Sequence, residues 1–168
     1  TETRDQERRK QNKNMNNETN PHRIHLLGDG RQEEDIAGGA ILPGHLLATT
    51  SAAKTSPNAC GTVVKHATAG GASERKFALE DALQGKTIDD AYAEGDIVAS
   101  VQCVPGDVVY AWLSEGEVVT PASFLTSNGD GTLKVATGSD VIVGKALEDV
   151  DASDSAGEGD NRVRVRIL

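Results

Sequence analysis

At 168 residues and 17.6 kDa the chain has room for one compact domain and too little for two of ordinary size. Lys and Arg number 17 against 26 Asp and Glu, a net charge of -9, so the phosphate backbone of a nucleic acid is repelled across the body of the protein. No run approaches the roughly 18 apolar residues of a membrane helix, and the opening TETRDQERRK has no apolar signal-peptide region, which predicts a soluble chain without a standard export signal.

The chain divides at residue 23. Of its 36 Leu, Ile, Val and Phe residues none lies in residues 1–23, which hold five Asn, four acids and six bases. Such a segment buries too little surface to offset ordering costs of about 1 to 2 kcal/mol per residue. It is predicted to be a flexible arm that orders against a partner surface, or, since DQERRKQNKN contains fair helix formers, a local helix. Residues 24–168 form the domain.

From Ile24 onward, short β-branched runs alternate with turn dipeptides, which predicts an all-β fold, a small β-barrel or sandwich with short helical turns. Strands are expected at His25 to Leu27, Leu46 to Thr50, Gly61 to His66, Asp96 to Val104, Val108 to Leu113, Thr132 to Ala136, Ile142 to Asp149 and Arg162 to Leu168. In Ser73 to Tyr92 a strand followed by a helical turn is expected. Asn128-Gly129-Asp130-Gly131 and Pro105-Gly106-Asp107 carry turn chemistry, and both predict hairpins. Ile41 to Thr49 also echoes Val119 to Ser127: each has a Pro three residues before an apolar pair that would enter the core as a strand.

Chemistry has no visible foothold. His22 and His25 fall on opposite faces of an extended segment, so no metal site is expected there. The Gly-Asp motifs lack the ligand spacing of a calcium loop, and no nucleophile elbow, phosphate loop or dinucleotide fingerprint occurs. Cys60 and Cys103 have neither zinc nor disulfide-scaffold spacing and are expected to be buried thiols. No cofactor or catalytic residue is assigned.

Two strands carry a physical signal. In Val108 to Leu113 both faces are apolar, with Tyr110 and Trp112 on one of them, so the strand needs two covers. One is the core; the other is a helix of the same chain, a second internal layer, or a neighbouring subunit. In the C-terminal strand Val163, Val165 and Ile167 face inward while Arg162, Arg164 and Arg166 form a ladder on the other face. That ladder suits either an acidic partner or an exposed edge protected by charge.

Several segments together resemble the head decoration, or capsid cement, proteins of tailed bacteriophages. They are Ala37-Gly38-Gly39 with Ile41 to Leu47, Val64-Lys65-His66-Ala67 with Ala69-Gly70-Gly71, Gly85 to Asp96, Pro105 to Val109, and Val143 to Glu148. The resemblance spans most of residues 24–150. It implies a small β-barrel protein, often a trimer, that binds the outside of a mature head and locks neighbouring major capsid subunits. It also implies a place on the outer capsid surface of the virion, and in the host cytoplasm during assembly, with no cofactor and no catalytic residue. Residues 1–23 lie outside the matched pattern. They carry Arg4, Arg8, Arg9, Lys10, Lys13 and Arg23 for a net +2, against -11 for residues 24–168, and so form a candidate capsid-binding arm. Tyr110, Trp112, Arg162, Arg164 and Arg166 are candidates for a subunit or capsid interface. The alternatives are a small β-barrel enzyme of the nucleotide hydrolase type, or a receptor- or carbohydrate-binding module, for which five aromatic residues leave few to expose.

Overall fold

The computed structural model describes residues 20–54, 56–153 and 161–168. Among them the fold is β throughout apart from one single-turn helix. Five strands close a barrel in the order β2-β4-β3-β5-β6: β2 (Arg31–Ala37), β3 (Leu46–Thr49), β4 (Thr62–Lys65), β5 (Lys76–Ala78) and β6 (Ile97–Gln102). All neighbours are antiparallel except β2 and β4. A six-stranded sheet follows, in the order β1-β7-β13-β11-β9-β10. It comprises β1 (His25–Leu27), β7 (Val108–Trp112), β9 (Phe124–Ser127), β10 (Leu133–Val135), β11 (Gly144–Ala146) and β13 (Arg162–Ile167). β8 (Val118–Val119) and β12 (Val150–Asp151) pair separately.

Strand alternation decides which side chains enter the barrel. Each of its strands contributes one residue to an apolar layer, Ala37, Leu47, Val63, Ala78 and Val98, and Ile41 and Tyr92 complete that cluster. Two positions along, the next inward layer is polar: the Lys76 ammonium contacts Glu33 at 2.8 Å and Asp35 at 3.3 Å, and Ser100 donates to Asp35 at 3.2 Å. On the barrel's outer side Leu46, Phe77 and Val101 turn away from the lumen. They join Ile24, Val109, Ala111, Leu113, Leu125, Val163, Val165 and Ile167 of the sheet in one buried cluster. Barrel and sheet therefore share a core, and the expected alternatives of barrel and sandwich are combined.

One turn is used repeatedly to launch strands. At Leu42–His45, Ala93–Asp96 and Val104–Asp107 the fourth residue's N–H donates to the first residue's carbonyl at 3.1 Å in each case. Its side chain in turn accepts from the first residue's N–H: His45 Nδ1 at 3.0 Å, Asp96 Oδ2 at 2.8 Å and Asp107 Oδ2 at 3.2 Å. Gly44 and Gly106, at φ 96° and 99°, hold the left-handed position of a type II turn. Thr120–Ser123 repeats the pattern with Ser123 Oγ as acceptor at 3.0 Å, so the echo between Ile41–Thr49 and Val119–Ser127 is one turn used twice, ahead of β3 and of β9.

Two expectations need correction. The Pro105 turn does not make a hairpin: β6 stays in the barrel and β7 pairs with β1 and β13. A type II turn splays its flanking strands instead of matching their twist, and here it passes the chain from one sheet to the other. The Asn128–Gly131 turn does close a hairpin, with Ser127 opposite Leu133. β2 was not expected at all, since RQEEDIA shows no apolar alternation; its inward acids answer Lys76, a partner far off in sequence. The segment Ser73 to Tyr92 behaves as expected, β5 followed by the turn Ala82–Gln84, which Asp81 caps by accepting from Gln84 N–H at 3.3 Å.

Candidate functional site

The register of β13 on β7 sets the candidate interface residues in facing pairs, Arg162 with Trp112, Arg164 with Tyr110 and Arg166 with Val108. The three arginines do not behave as a uniform ladder. Arg162 is 3% exposed. Its guanidinium lies over the Trp112 ring at 4.1 Å and donates to Asp89 Oδ1 at 2.8 Å, to the Pro43 carbonyl at 3.3 Å and to the Ile88 carbonyl. Arg164 is half-exposed and pairs with Glu148 at 3.1 Å, whose other carboxylate oxygen accepts the Arg164 backbone N–H at 3.0 Å. Arg166 is exposed.

At Trp112 the second cover of the two-sided strand is supplied by the chain itself, through loops and not a helix. Trp112 Nε1 donates to the Pro43 carbonyl at 2.8 Å, and the His45 ring lies 6.2 Å away, tilted. His45 is neutral at physiological pH. Burial first, then the nearby Lys65 charge, brings its pKa down to about 4 against the opposing pull of Asp130. Tyr110 is buried.

Where Arg162 and Tyr110 meet the Ile88–Asp89 loop, a cleft of about 530 Å³ also receives Asn20, Pro21 and His22. The segment leading into the domain thus enters beside the candidate interface. Arg23 is exposed there, 3.9 Å from Glu80. Arg4, Arg8, Arg9, Lys10 and Lys13 lie outside the described residues.

A histidine–hydroxyl pair sits elsewhere, between barrel and sheet. His66 Nε2 lies 2.9 Å from the Ala72 carbonyl, so it carries the proton; Nδ1 then accepts from Ser127 Oγ at 2.6 Å, and that oxygen accepts Gly129 N–H at 3.1 Å. Ser127 is fully buried, so the arrangement braces the β9–β10 hairpin against the chain after β4 and presents no hydroxyl to a substrate. Both cysteines are free thiols: Cys103 is buried, while Cys60, expected to be buried too, is only half so. Among the described residues no group of three or more His, Cys, Asp or Glu gathers as metal ligands. His22 is exposed, and His25 Nε2 faces Asp107 at 3.5 Å.

No family model and no curated protein matches the sequence. The architecture, however, has a solved counterpart. The chain resembles the head fiber gp8.5 N base in bacteriophage phi29. The likeness covers 83% of this chain and 95% of that one, with a TM-score of 0.55 and 14% sequence identity. At this identity the likeness concerns the fold, and the side chains of the candidate interface are this chain's own.

Sequence reasoning found the strands that carry the candidate interface residues and missed what surrounds them. Asp89, Glu148 and the Pro43 carbonyl reach Arg162 and Arg164 only through tertiary contacts. Lys145 and Phe124 enter the same sheet face only through pairing register, with Lys145 opposite both Arg166 and Phe124.

Proposed function

We propose that the protein is a structural component of a bacteriophage virion that binds the outer surface of the head. It bridges neighbouring major capsid subunits and stabilises the shell, and residues 1–23 add contacts as a basic arm. The observation that carries this reading is the fold likeness to a phage head fiber base along 95% of that chain's length. The sequence resemblance to head decoration proteins points the same way. The reading takes the protein to be a trimer that assembles onto heads in the host cytoplasm, and gives it no catalytic step, no cofactor and no contact with nucleic acid or membrane.

The charge distribution suits the task. An arm of net +2 can engage an acidic shell that repels a body of net -11. Many copies of a modest interface, each strengthened by a tethered arm, bind far more tightly than either contact alone. Ordering the arm costs entropy on binding, so it adds to the domain's interface and does not replace it.

Co-sedimentation with purified heads, after mass photometry of the free protein, tests the reading. The full chain is expected to decorate heads at fixed stoichiometry and to be a trimer in solution. Deleting residues 1–20 is expected to leave thermal stability unchanged and lower occupancy. The difference should shrink as salt shortens the Debye length from about 10 Å at 0.1 M to about 3 Å at 1 M. Full occupancy by the truncated chain at both salts makes the arm passive, and no binding by the full chain removes the reading.

A further inference from the structure

All five basic residues that follow Val104 in the sequence are Lys134, Lys145, Arg162, Arg164 and Arg166. Alternation puts all five on the outer side of the six-stranded sheet, where Arg162 is covered by the Pro43 and Ile88–Asp89 loops and the other four lie nearer the solvent. Arg162 and Arg164 are neutralised within the chain by Asp89 and Glu148. Among the described residues Lys134, Lys145 and Arg166 have no ion pair.

Register turns two of these into a row. Val108, Arg166, Lys145 and Phe124 stand directly opposite one another on β7, β13, β11 and β9. Two cations facing each other across adjacent strands repel, and the Phe124 ring beside them is 49% exposed. Neither feature serves the fold, since an acid at position 145 would pair with Arg166 and a polar residue at 124 would sit equally well on an open face. The row sets two adjacent cations, without an ion pair among the described residues, on a body of net -11.

We propose that the Arg166–Lys145–Phe124 row is a docking footprint for a carboxylate-rich protein surface. Resting on the head-binding reading above, the partner is an acidic patch of the capsid shell. Arg166 presents its guanidinium fork to one carboxylate and Lys145 a point charge to another, while the Phe124 ring excludes water between them. The same charge pattern favours the orientation that turns this sheet face toward the acidic shell.

The Lys145→Glu variant separates docking from folding. It replaces a repelling pair with an attracting one, so the melting temperature is expected to stay level or rise while affinity for purified heads at 0.1 M salt falls by about tenfold or more. Lys54→Glu, the same charge change in an exposed loop of the barrel, is expected to leave affinity within about twofold. Phe124→Ala is expected to weaken binding at low and high salt alike. Heads bound equally by the full chain and by Lys145→Glu overturn the footprint and leave the head-binding reading standing. Absence of binding by the full chain overturns both. Unchanged head occupancy together with a loss of duplex DNA binding in Lys145→Glu overturns it in favour of nucleic acid.

Discussion

Arg162 and Trp112, directly opposite each other on β13 and β7, grip the same carbonyl oxygen, that of Pro43, at 3.3 Å from the guanidinium and 2.8 Å from the indole Nε1. With the guanidinium stacked 4.1 Å from the ring, the two side chains form a clamp on the turn that launches β3 into the barrel. A contact made in the sheet thereby fixes the entry of a barrel strand. The same arginine holds Asp89 and the Ile88 carbonyl, so two loops are pinned by one side chain.

Arg162→Lys keeps the charge and loses the fork. It should destabilise the protein by about 1.5 to 3 kcal/mol, because one ammonium cannot reach a carboxylate and two carbonyls and still cover the indole. Urea unfolding measures this. Trp112→Phe should cost less alone and show coupling to Arg162→Lys in a double-mutant cycle; strict additivity would mean that the two side chains act separately.

His45 makes stability depend on pH in a defined window. Its pKa is about 4 in the folded protein against an ordinary 6.5, lowered chiefly by burial. The unfolded chain therefore takes up the proton first as pH falls. The stability that neutral His45 contributes is complete above pH 6.5 and is lost as pH falls from there to about 4, amounting to on the order of 3 kcal/mol. His45→Asn, whose Oδ1 can accept the Leu42 N–H in place of Nδ1, should flatten the stability profile over that window. An unchanged slope would place the titration elsewhere.

Lys76 answers Glu33 and Asp35 inside the barrel, and Asp35 is itself buried. Lys76→Met leaves those carboxylates without their cation and should cost about 3 to 5 kcal/mol, whereas combining it with Asp35→Leu should recover part of the loss. Burial disfavours the Lys76 charge, but hydrogen bonding to Glu33 and the field of Asp35 outweigh it, so its pKa is raised. The stabilisation from the charged form is thus full below the ordinary lysine value and is lost only as pH rises beyond it. Stability measured at high alkaline pH should fall less in the double variant.

The two thiols should react very differently. Burial, then the Asp107 charge, pushes the Cys103 thiol up to about 12, and the residue is buried; Cys60 is half-exposed. An alkylating agent at mild pH should modify one cysteine in the folded protein and both in denaturant, with mass spectrometry assigning the fast adduct to Cys60. Fast labelling of Cys103 would show that the core opens there.

What was legible in the sequence was local. β7 and β13 follow from alternation, the β9–β10 hairpin from Asn128-Gly129-Asp130-Gly131, and β5 with its helical turn from the pattern of Ser73 to Tyr92. What was not legible depends on partners distant in sequence. β2 looks like a solvated acidic run until Lys76, 41 residues after Asp35, is placed between its acids. Arg162 looks exposed until Asp89, 73 residues earlier, reaches it. The Pro105 turn shows the limit of turn chemistry, which sets the angle of a reversal and leaves open which sheet the next strand joins.

β13 lies in the interior of the six-stranded sheet, hydrogen-bonded between β7 and β11. The barrel strands, by contrast, all lie within residues 31–102 and pair with one another, although the turn that launches β3 is held by Arg162 of β13. Leu46, Phe77 and Val101 on the flank of the barrel are covered by a sheet that has residues 162–167 as an interior strand, so their cover is complete only once β13 is in place. A barrel closed before β13 joins the sheet would display that apolar flank, and two such flanks would find each other.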